Sequence, residues 1–180
     1  MTTQTPGDFK SPGVLNSTPE TGDFQIPGFI KYERLMRAII QRVNFGQVTI
    51  DGKTVADIQS GMVILLGIGH GDDQAKADQM VKKIAQLRIF EDENEKMNLS
   101  LLDIKGAAIV VSQFTLYADT RKGNRPSFTD AAPPDLASPL VDYFVDELRK
   151  LGVPVQTGEF GAHMYVHLQN DGPVTISLEM

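Results

Sequence analysis

The stretch "MVILLGI", residues 62–68, runs through a β-branched and aliphatic core without a polar break. A run of this length bounded by glycines is typical of a β-strand covered on both faces, because a half-exposed strand would alternate with polar residues. A second run, "AAIVV" at residues 107–111, has the same character. A chain with such strands must place further structure against both of their faces. The longest run is too short to cross a bilayer, so no membrane segment is expected.

Shorter β-branched stretches precede the first of these core strands. "RAIIQRV", residues 37–43, and "QVTI", residues 47–50, both predict strand. The pair Asp51 and Gly52 is a strong signal for a two-residue turn into "KTVADI", residues 53–58. This order predicts a hairpin or a meander.

Two segments carry apolar residues at helical spacing. The first follows Asp72 or Asp73 as the N-cap, and its predicted buried stripe is Ala77, Met80, Val81, Ile84 and Leu87. The second is predicted to start near Ser138 and Pro139 and to stop at Gly152. Its predicted buried stripe is Leu140, Phe144, Val145, Leu148 and Leu151.

The first part of the chain differs in composition from the rest. Residues 1–35 are rich in Thr, Pro, Gly and Ser and show neither helical nor strand periodicity. We therefore predict a disordered N-terminal extension followed by one folded domain, residues 36–180. The extension does not resemble a transit peptide, since such peptides are poor in acidic residues and this one carries Asp8, Glu20 and Asp23.

Cysteine is absent, and the formal net charge at pH 7 is −6. The lack of thiols excludes a disulfide framework, a thiol nucleophile and a thiolate metal site, and it agrees with a cytoplasmic localisation. The negative charge argues against broad binding of a nucleic acid duplex, which requires many cationic contacts to phosphate. Any contact to RNA is therefore expected to be local.

Three further patterns contain residue types found in ligand or metal sites, but their spacing does not fit such sites. "GIGHGDD", residues 67–73, has the glycine density of a phosphate-binding loop, but its spacing is wrong and its two aspartates would repel an anion. "EDENE", residues 91–95, lacks the spacing of a calcium loop and favours a solvated turn. His70, His163 and His167 could suggest a metal or a general base, but a strand containing the last two would separate them by about 13 Å. Histidines on the surface or on a sheet face are the favoured interpretation.

"SQFTL", residues 112–116, brings two hydroxyls and an amide to the end of a predicted buried strand. Alternation along this segment predicts that Ser112, Phe114 and Leu116 share one face, and Gln113 and Thr115 the other. A hydroxyl nucleophile would need a base beside it, and no His or Lys is adjacent in sequence. The pattern alone favours hydroxyls that satisfy hydrogen bonds at the strand edge.

One basic cluster stands out in this acidic chain. Arg121, Lys122 and Arg125 lie in a predicted loop punctuated by glycine and proline. Both a solvated loop and a local phosphate contact are consistent with this pattern.

The motif "NDGPVT", residues 170–175, places Gly172 and Pro173 between two alternating segments, residues 164–169 and 174–179. Alternation predicts two strands with the Gly-Pro pair at the turn between them. Because proline cannot donate to a sheet and glycine weakens a strand, the pair is either an ordinary turn or a specially shaped piece of backbone.

Six short motifs together carry a resemblance to a known family. They are "IQRV", "KMNLS", "SQFTL", "RPSF", "TGEF" and "NDGPVT". From residue 36 to the C-terminus the chain resembles the D-aminoacyl-tRNA deacylase family. The resemblance implies a three-layer α/β fold, with two packed β-sheets and helices on one side, that forms a homodimer.

The resemblance also implies an enzymatic activity. Such an enzyme hydrolyses the ester bond of D-aminoacyl-tRNA at the tRNA 3′ end, releases the free D-amino acid and tRNA, and so proofreads chirality in translation. Glycyl-tRNA mischarged on tRNA(Ala) is an implied second substrate. No cofactor, metal or membrane is implied.

Carried over by motif, the family's site residues fall into two sets. The implied catalytic residues are Gln113, Phe114 and Thr115. The implied substrate-binding residues are Arg42, Ser112, Phe160, Met164, Gly172 and Pro173. In the family the Gly-Pro bond is cis and reaches into the active site of the partner subunit, where it rejects L-aminoacyl groups. The substrate's own 2′-hydroxyl is a better-placed activator of water than Thr115, which lacks an adjacent base.

Two other classes of function remain compatible with the pattern. One is a non-enzymatic β-rich binding module in which the Gly-Pro pair and the "SQFTL" segment are structural. The other is an acyl hydrolase that uses a threonine nucleophile on small esters.

Overall fold

The computed structural model describes residues 35–180, and the predicted disordered extension lies outside these residues except for Leu35. The predicted domain boundary at residue 36 stays a prediction. The strands are β1 (Arg37–Ile50), β2 (Lys53–Ile58), β3 (Gly61–Gly67), β4 (Phe90–Glu91), β5 (Met97–Leu99), β6 (Ala107–Ser112), β7 (Val155–Thr157) and β8 (Tyr165–Glu179). The helices are α1 (Gln74–Ala85), a 3₁₀ helix (Phe114–Tyr117) and α2 (Pro134–Lys150). The expected mixed α/β class is confirmed.

The first hairpin forms where the sequence predicts it. Asp51 and Gly52 have φ angles of 49° and 74°, the left-handed values that a tight two-residue turn requires. The two predicted strands before this turn are one continuous strand, β1. It pairs antiparallel with β2 near the turn and with β3 near its start.

The main sheet has the order β2-β1-β3-β6-β7, and β8 pairs antiparallel along the other edge of β1. β3, β6 and β7 run parallel to one another. The sheet curves until its two ends meet. There the side chain of Gln156 on β7 accepts from the Asp57 N–H on β2 at 2.8 Å and donates to the Asp57 carbonyl at 2.6 Å. The side chain of Gln156 thus links β7 to β2, where direct strand pairing would be needed to close a barrel.

Alternation along the central strands separates two hydrophobic cores. On β3, Ile64 belongs to the core that packs against the helices, whereas Val63 belongs to the core inside the curved sheet. On β6, Val110 belongs to the helix-facing core and Ile109 to the core inside the curved sheet. Successive strand residues point to opposite faces, so a continuously apolar strand supplies both cores at once.

Helix α1 follows its prediction closely. Asp73 is the N-cap, and its side chain accepts from the Lys76 N–H at 2.9 Å. The predicted stripe is buried, apart from Leu87, which lies beyond the helix and is partly exposed.

The predicted start of α2 near Ser138 and Pro139 is wrong by about one turn. The helix begins at Pro134, and Pro139 lies inside it. A proline at the first helical position needs no N–H partner and has φ preset for the helix, so Pro134 starts the helix earlier. The predicted end at Gly152 is confirmed by its φ of 90°, but Leu151 caps the helix and is exposed rather than buried.

No helix within residues 35–180 is both long enough and apolar enough to cross a membrane.

The predicted turn at the Gly-Pro pair is wrong, because β8 is one strand that runs past it. Val43 pairs with Asn170 and Gln41 pairs with Thr175, so residues 171–174 stand opposite Arg42 alone. Both halves of β8 follow β1 in the same direction, and the chain does not reverse. We call residues 171–174 the Gly-Pro bulge. Proline is tolerated here because a bulged residue makes no ladder hydrogen bond.

Candidate active site

The buried strand β6 ends at Ser112, and the chain then turns into a 3₁₀ helix. The predicted continuation of the strand through residues 113–116 is therefore wrong. Gln113 makes the last sheet-like contact, donating its N–H to the Leu66 carbonyl at 2.7 Å. The next turn closes when the Leu116 N–H donates to the Gln113 carbonyl at 3.3 Å. As a result Phe114 and Thr115 are both exposed, instead of lying on opposite faces of a sheet.

Tyr117 anchors the 3₁₀ helix to the end of β3. Its ring packs so closely that a Cβ on Gly67 would lie 3.0 Å from a ring carbon, and one on Gly69 would lie 2.9 Å from the hydroxyl. The hydroxyl lies 2.8 Å from its nearest acceptor, the Leu35 carbonyl. Burial raises the pKa of Tyr117, so the hydroxyl remains a donor. These glycines leave space for a buried phenol; they do not form a phosphate loop.

Arg37 supports the same helix from the first strand. Its guanidinium lies 4.8 Å from the centre of the Tyr117 ring, and Nη1 donates to the Leu116 carbonyl at 2.7 Å. A cation over an aromatic face and a charge-assisted hydrogen bond both restrain the segment that follows β6.

The glycine-rich connection after β3 is folded around the carboxylate of Asp72. This side chain is fully buried; it accepts from the Gly69 N–H at 2.7 Å and lies 3.3 Å from Lys76 Nζ. Burial is the largest influence on the carboxyl, and it raises the pKa of Asp72. The Gly69 N–H is therefore occupied by this carboxylate and is not available to an anion.

A cavity of about 560 Å³ opens beside the end of β6. Of the predicted site residues, it is lined by Ser112, Gln113, Phe114, Phe160 and Met164. The rest of its wall is mostly apolar and comes from β3, β6, α2 and the segment before β8. The fold therefore brings together five of the nine predicted site residues.

Thr115 stands next to this cavity without lining it. The Gln113 side-chain amide donates to the Thr115 hydroxyl oxygen. An amide N–H cannot accept the hydroxyl proton, so this contact holds the side chain without activating it.

One glycine and two aromatic residues shape the cavity further. A Cβ on Gly158 would lie 2.2 Å from the sulfur of Met164, so a larger residue at position 158 would force the Met164 side chain to shift. Phe128 was missed as a site residue. Its ring meets Phe114 edge to face, with centroids 5.0 Å apart. Phe128 belongs to the "RPSF" motif, which was the available signal, but nothing in its pattern indicated a partner.

The histidines do not gather around a metal. His163 lines the cavity and packs edge to face on Tyr165, whereas His167 lies on the exposed side of β8. Within the described part of the chain, no three His, Cys, Asp or Glu side chains are placed to hold a metal ion.

The basic loop is exposed. Arg121 makes two hydrogen bonds to Asp119, at 2.9 and 2.8 Å, and this pairing lowers the pKa of the carboxyl. Lys122 and Arg125 are exposed in the same loop.

The remaining predicted residues, Arg42, Gly172 and Pro173, form a second group that does not line the cavity of their own chain. Arg42 is 3% exposed, and it donates to the Asp171 carbonyl at 3.0 Å and to the Ile89 carbonyl at 2.7 Å. The Gly172–Pro173 bond is cis, as the resemblance implies. Gly172 has a φ of 127°, and a Cβ there would lie 2.8 Å from Val174. Only glycine fits this position.

This arrangement, a hydroxyl- and amide-bearing strand end over an apolar cavity, is a candidate site for a small organic ligand. A profile of the family described as D-Tyr-tRNA(Tyr) deacylase matches residues 39–179. The chain therefore belongs to the D-Tyr-tRNA(Tyr) deacylase family.

Individual relatives agree with this assignment. The D-aminoacyl-tRNA deacylase of Thermomicrobium roseum is 62% identical over 144 residues, which cover 80% of this chain and 94% of the relative. The D-aminoacyl-tRNA deacylase of Clostridioides difficile is 56% identical, with 80% and 97% covered.

Two solved structures share the fold. A c-Myc DNA unwinding element binding protein superposes with a TM-score of 0.76 at 44% identity, covering 80% of this chain and 98% of that one. A probable eukaryotic D-amino acid tRNA deacylase superposes with a TM-score of 0.71, covering 81% and 100%, and at 18% identity it supports the fold alone.

The buried carboxyl behind the site has a predictable effect on stability. Because the folded-state pKa of Asp72 is raised above its ordinary value of 3.8, the folded protein binds this proton more tightly than the unfolded chain does. The free energy of unfolding of the wild type, minus that of Asp72→Asn, should fall as the pH rises from 3.8 through the raised pKa and then level off. Urea unfolding of both proteins between pH 3.5 and about 8 measures this difference. A difference that rises with pH would show that the contacts of Asp72 with Gly69 and Lys76 lower its pKa by more than burial raises it.

Proposed function

We propose that this protein hydrolyses the ester bond that joins a D-amino acid to the terminal ribose of tRNA, releasing the free amino acid and tRNA. The observation that carries the proposal is that the cavity gathers Ser112, Gln113, Phe114, Phe160 and Met164 from separate segments of a family member. The named activity of relatives at 56% and 62% identity supports the same substrate class.

The cavity suits an aminoacyl-adenosine end better than a long nucleic acid. Its mostly apolar wall can take an amino acid side chain or a base, and Ser112 and Gln113 offer polar atoms at one edge. A protein that holds only the 3′ end needs few phosphate contacts, which agrees with a net charge of −6. Lys122 and Arg125 are our candidates for local contacts to the acceptor stem.

The turn after β6 supplies the groups for the chemical step. In the first turn of a helix the N–H groups have no partner within the helix, and those of Phe114 and Thr115 are in this position. We infer that they stabilise the oxyanion that forms when water attacks the ester carbonyl. Such a donor is worth roughly 3–4 kcal/mol. The only group described in contact with the Thr115 hydroxyl is the Gln113 amide N–H, which is a donor and cannot take up the hydroxyl proton. We therefore assign the activation of water to the 2′-hydroxyl of the substrate.

Substitution of Thr115 separates this mechanism from nucleophilic catalysis. Thr115→Ala should slow single-turnover cleavage of D-tyrosyl-tRNA by no more than about tenfold, the effect of one lost hydrogen bond. Loss of a true nucleophile would cost several orders of magnitude, on the order of 10⁴-fold or more. Thermal unfolding and tRNA binding of the variant serve as controls, and a complete loss of cleavage with both intact would refute the substrate-assisted step.

Chirality is read, in this proposal, by the main chain of the Gly-Pro bulge. Gly172 and Pro173 are exposed and do not line the cavity of their own chain, so they are available to a second copy. Placed at the partner's cavity, this backbone would occupy the space that the side chain of an L-aminoacyl group needs. A steric clash penalises the wrong substrate more than one missing apolar contact, worth about 1–3 kcal/mol, would. Glycine has no side chain to exclude, so glycyl-tRNA, including that mischarged on tRNA(Ala), should be cleaved.

An esterase assay with four substrates distinguishes the possible functions. D-tyrosyl-tRNA should be cleaved at least about 100-fold faster than L-tyrosyl-tRNA, glycyl-tRNA should be cleaved, and a simple aryl ester should not. Single-turnover rates with and without enzyme measure all four. Cleavage of the simple ester alone would indicate a small-ester hydrolase, and cleavage of none would indicate a binding module.

A homodimer follows from the same placement of the bulge. Among the described residues β8 pairs only with β1, so its other edge is open to another chain. Phe114 and Tyr165 are 57% and 59% exposed, so both rings are accessible to a second chain. The two cores on opposite faces of the curved sheet support the implied three-layer arrangement, with helices on one side. A cytoplasmic localisation, where aminoacyl-tRNA is used, completes the proposal.

Dilution tests the need for two copies. Sedimentation velocity should show the mass of two chains at micromolar concentration, and discrimination between D- and L-tyrosyl-tRNA should decline when the protein is diluted into monomers. A monomer that retains full discrimination would rule out a contribution from the partner.

A further inference from the structure

The neck of the Gly-Pro bulge is closed by one side chain, that of Asn170. Its Oδ1 accepts from the Val174 N–H at 2.7 Å, and its Nδ2 donates to the Thr175 hydroxyl at 3.0 Å. Asn170 and Thr175 are the last and first residues that pair with β1 on either side of the bulge. The amide thus spans the loop from the point where strand pairing stops to the point where it resumes.

Arg42 and Asn170 restrain different parts of the bulge. Arg42 donates to the carbonyl of Asp171, in the first half. Asn170 accepts from the N–H of Val174, in the second half of the bulge. The side chain of Val174 is buried in the helix-facing core. Since no residue of β1 pairs with Val174, the asparagine replaces the missing ladder acceptor. Gly172 and Pro173 are held between these two anchors.

We propose that Asn170 is a positioning residue that sets chiral discrimination. By linking the last paired residue before the bulge to Val174 and Thr175 at its far end, Asn170 sets how far the exposed Gly-Pro backbone projects and how much room remains beside it. This inference rests on the proposed function, in which the bulge limits the space for the aminoacyl group in the partner's cavity. A longer or looser projection admits an L-side chain, whereas the D-substrate does not use that space.

The chemistry of the two hydrogen bonds identifies informative substitutions. Asn170→Ala removes both bonds. Asn170→Asp keeps the acceptor for Val174 and can accept from the Thr175 hydroxyl, which is itself a donor. Thr175→Val removes only the second bond. Asn98, whose Nδ2 donates to Asp92 at 3.0 Å in a different turn, provides a matched control for loss of an asparagine side chain.

The experiment measures single-turnover rates on D-tyrosyl-tRNA and L-tyrosyl-tRNA for the full-length wild type and these variants. Asn170→Ala should lower the D-to-L rate ratio at least tenfold, mainly by raising the L-rate, while the D-rate stays within threefold. Asn170→Asp should restore most of the ratio, Thr175→Val should give an intermediate value, and Asn98→Ala should match the wild type.

The outcomes distinguish the inference from its premise. If the wild type does not discriminate between the substrates, the proposed function fails. If the wild type discriminates and Asn170→Ala does so equally well, or if both of its rates fall in proportion, Asn170 does not set specificity. If circular dichroism shows that Asn170→Ala does not fold, the folded Thr175→Val and Asn170→Asp proteins provide the test. An equal D-to-L rate ratio in the wild type and in Thr175→Val would then overturn the proposal.

Discussion

The buried positive charge of Arg42, on the central strand, is neutralised in part by the first residue of the Gly-Pro bulge. Arg42 is almost fully removed from water, and an uncompensated charge in such a place costs several kcal/mol. Its guanidinium pairs with the carboxylates of Asp171 at 3.2 Å and Glu91 at 3.5 Å, and it also donates to two carbonyls. One comes from Ile89, after α1, and the other from Asp171, on the strand that pairs with β1. Both contacts to Asp171 lie at the start of the bulge, where β8 leaves its register with β1. The exposed Gly-Pro main chain is thus coupled to the solvation of a guanidinium in the interior.

The cavity edge depends on a different constraint, the space around Tyr117. Gly67 and Gly69 lack the Cβ atoms that would collide with the phenol, which lets the chain after β6 fold down and turn into a 3₁₀ helix. Arg37 then holds that turn through the ring and the Leu116 carbonyl. Arg37 lies on β1 and Gly67 ends β3, and other residues of these two strands belong to the two hydrophobic cores. Packing of the central sheet and placement of the candidate catalytic groups therefore cannot be varied independently.

Local signals in the sequence predicted the elements that local physics controls. The apolar run of β3, the turn at Asp51 and Gly52, and the cap at Asp73 each act within a few residues, and all three are present. The errors concern places where distant residues decide. Alternation past Ser112 suggested more strand, but the anchoring of the following turn depends on groups far away in sequence. The Gly-Pro pair suggested a reversal, yet pairing with β1 on both sides kept the chain straight.

Taken alone, the sequence determined that the chain has doubly covered strands, two amphipathic helices and the motifs of a deacylase family, because periodicity and motif order are properties of the chain itself. Only the tertiary structure decided that Ser112, Phe160 and Met164 share a cavity and that the Gly-Pro bulge lies elsewhere, braced by Arg42 and Asn170. The physical reason is that these contacts join residues up to 129 positions apart, and their geometry depends on the register and curvature of the sheet.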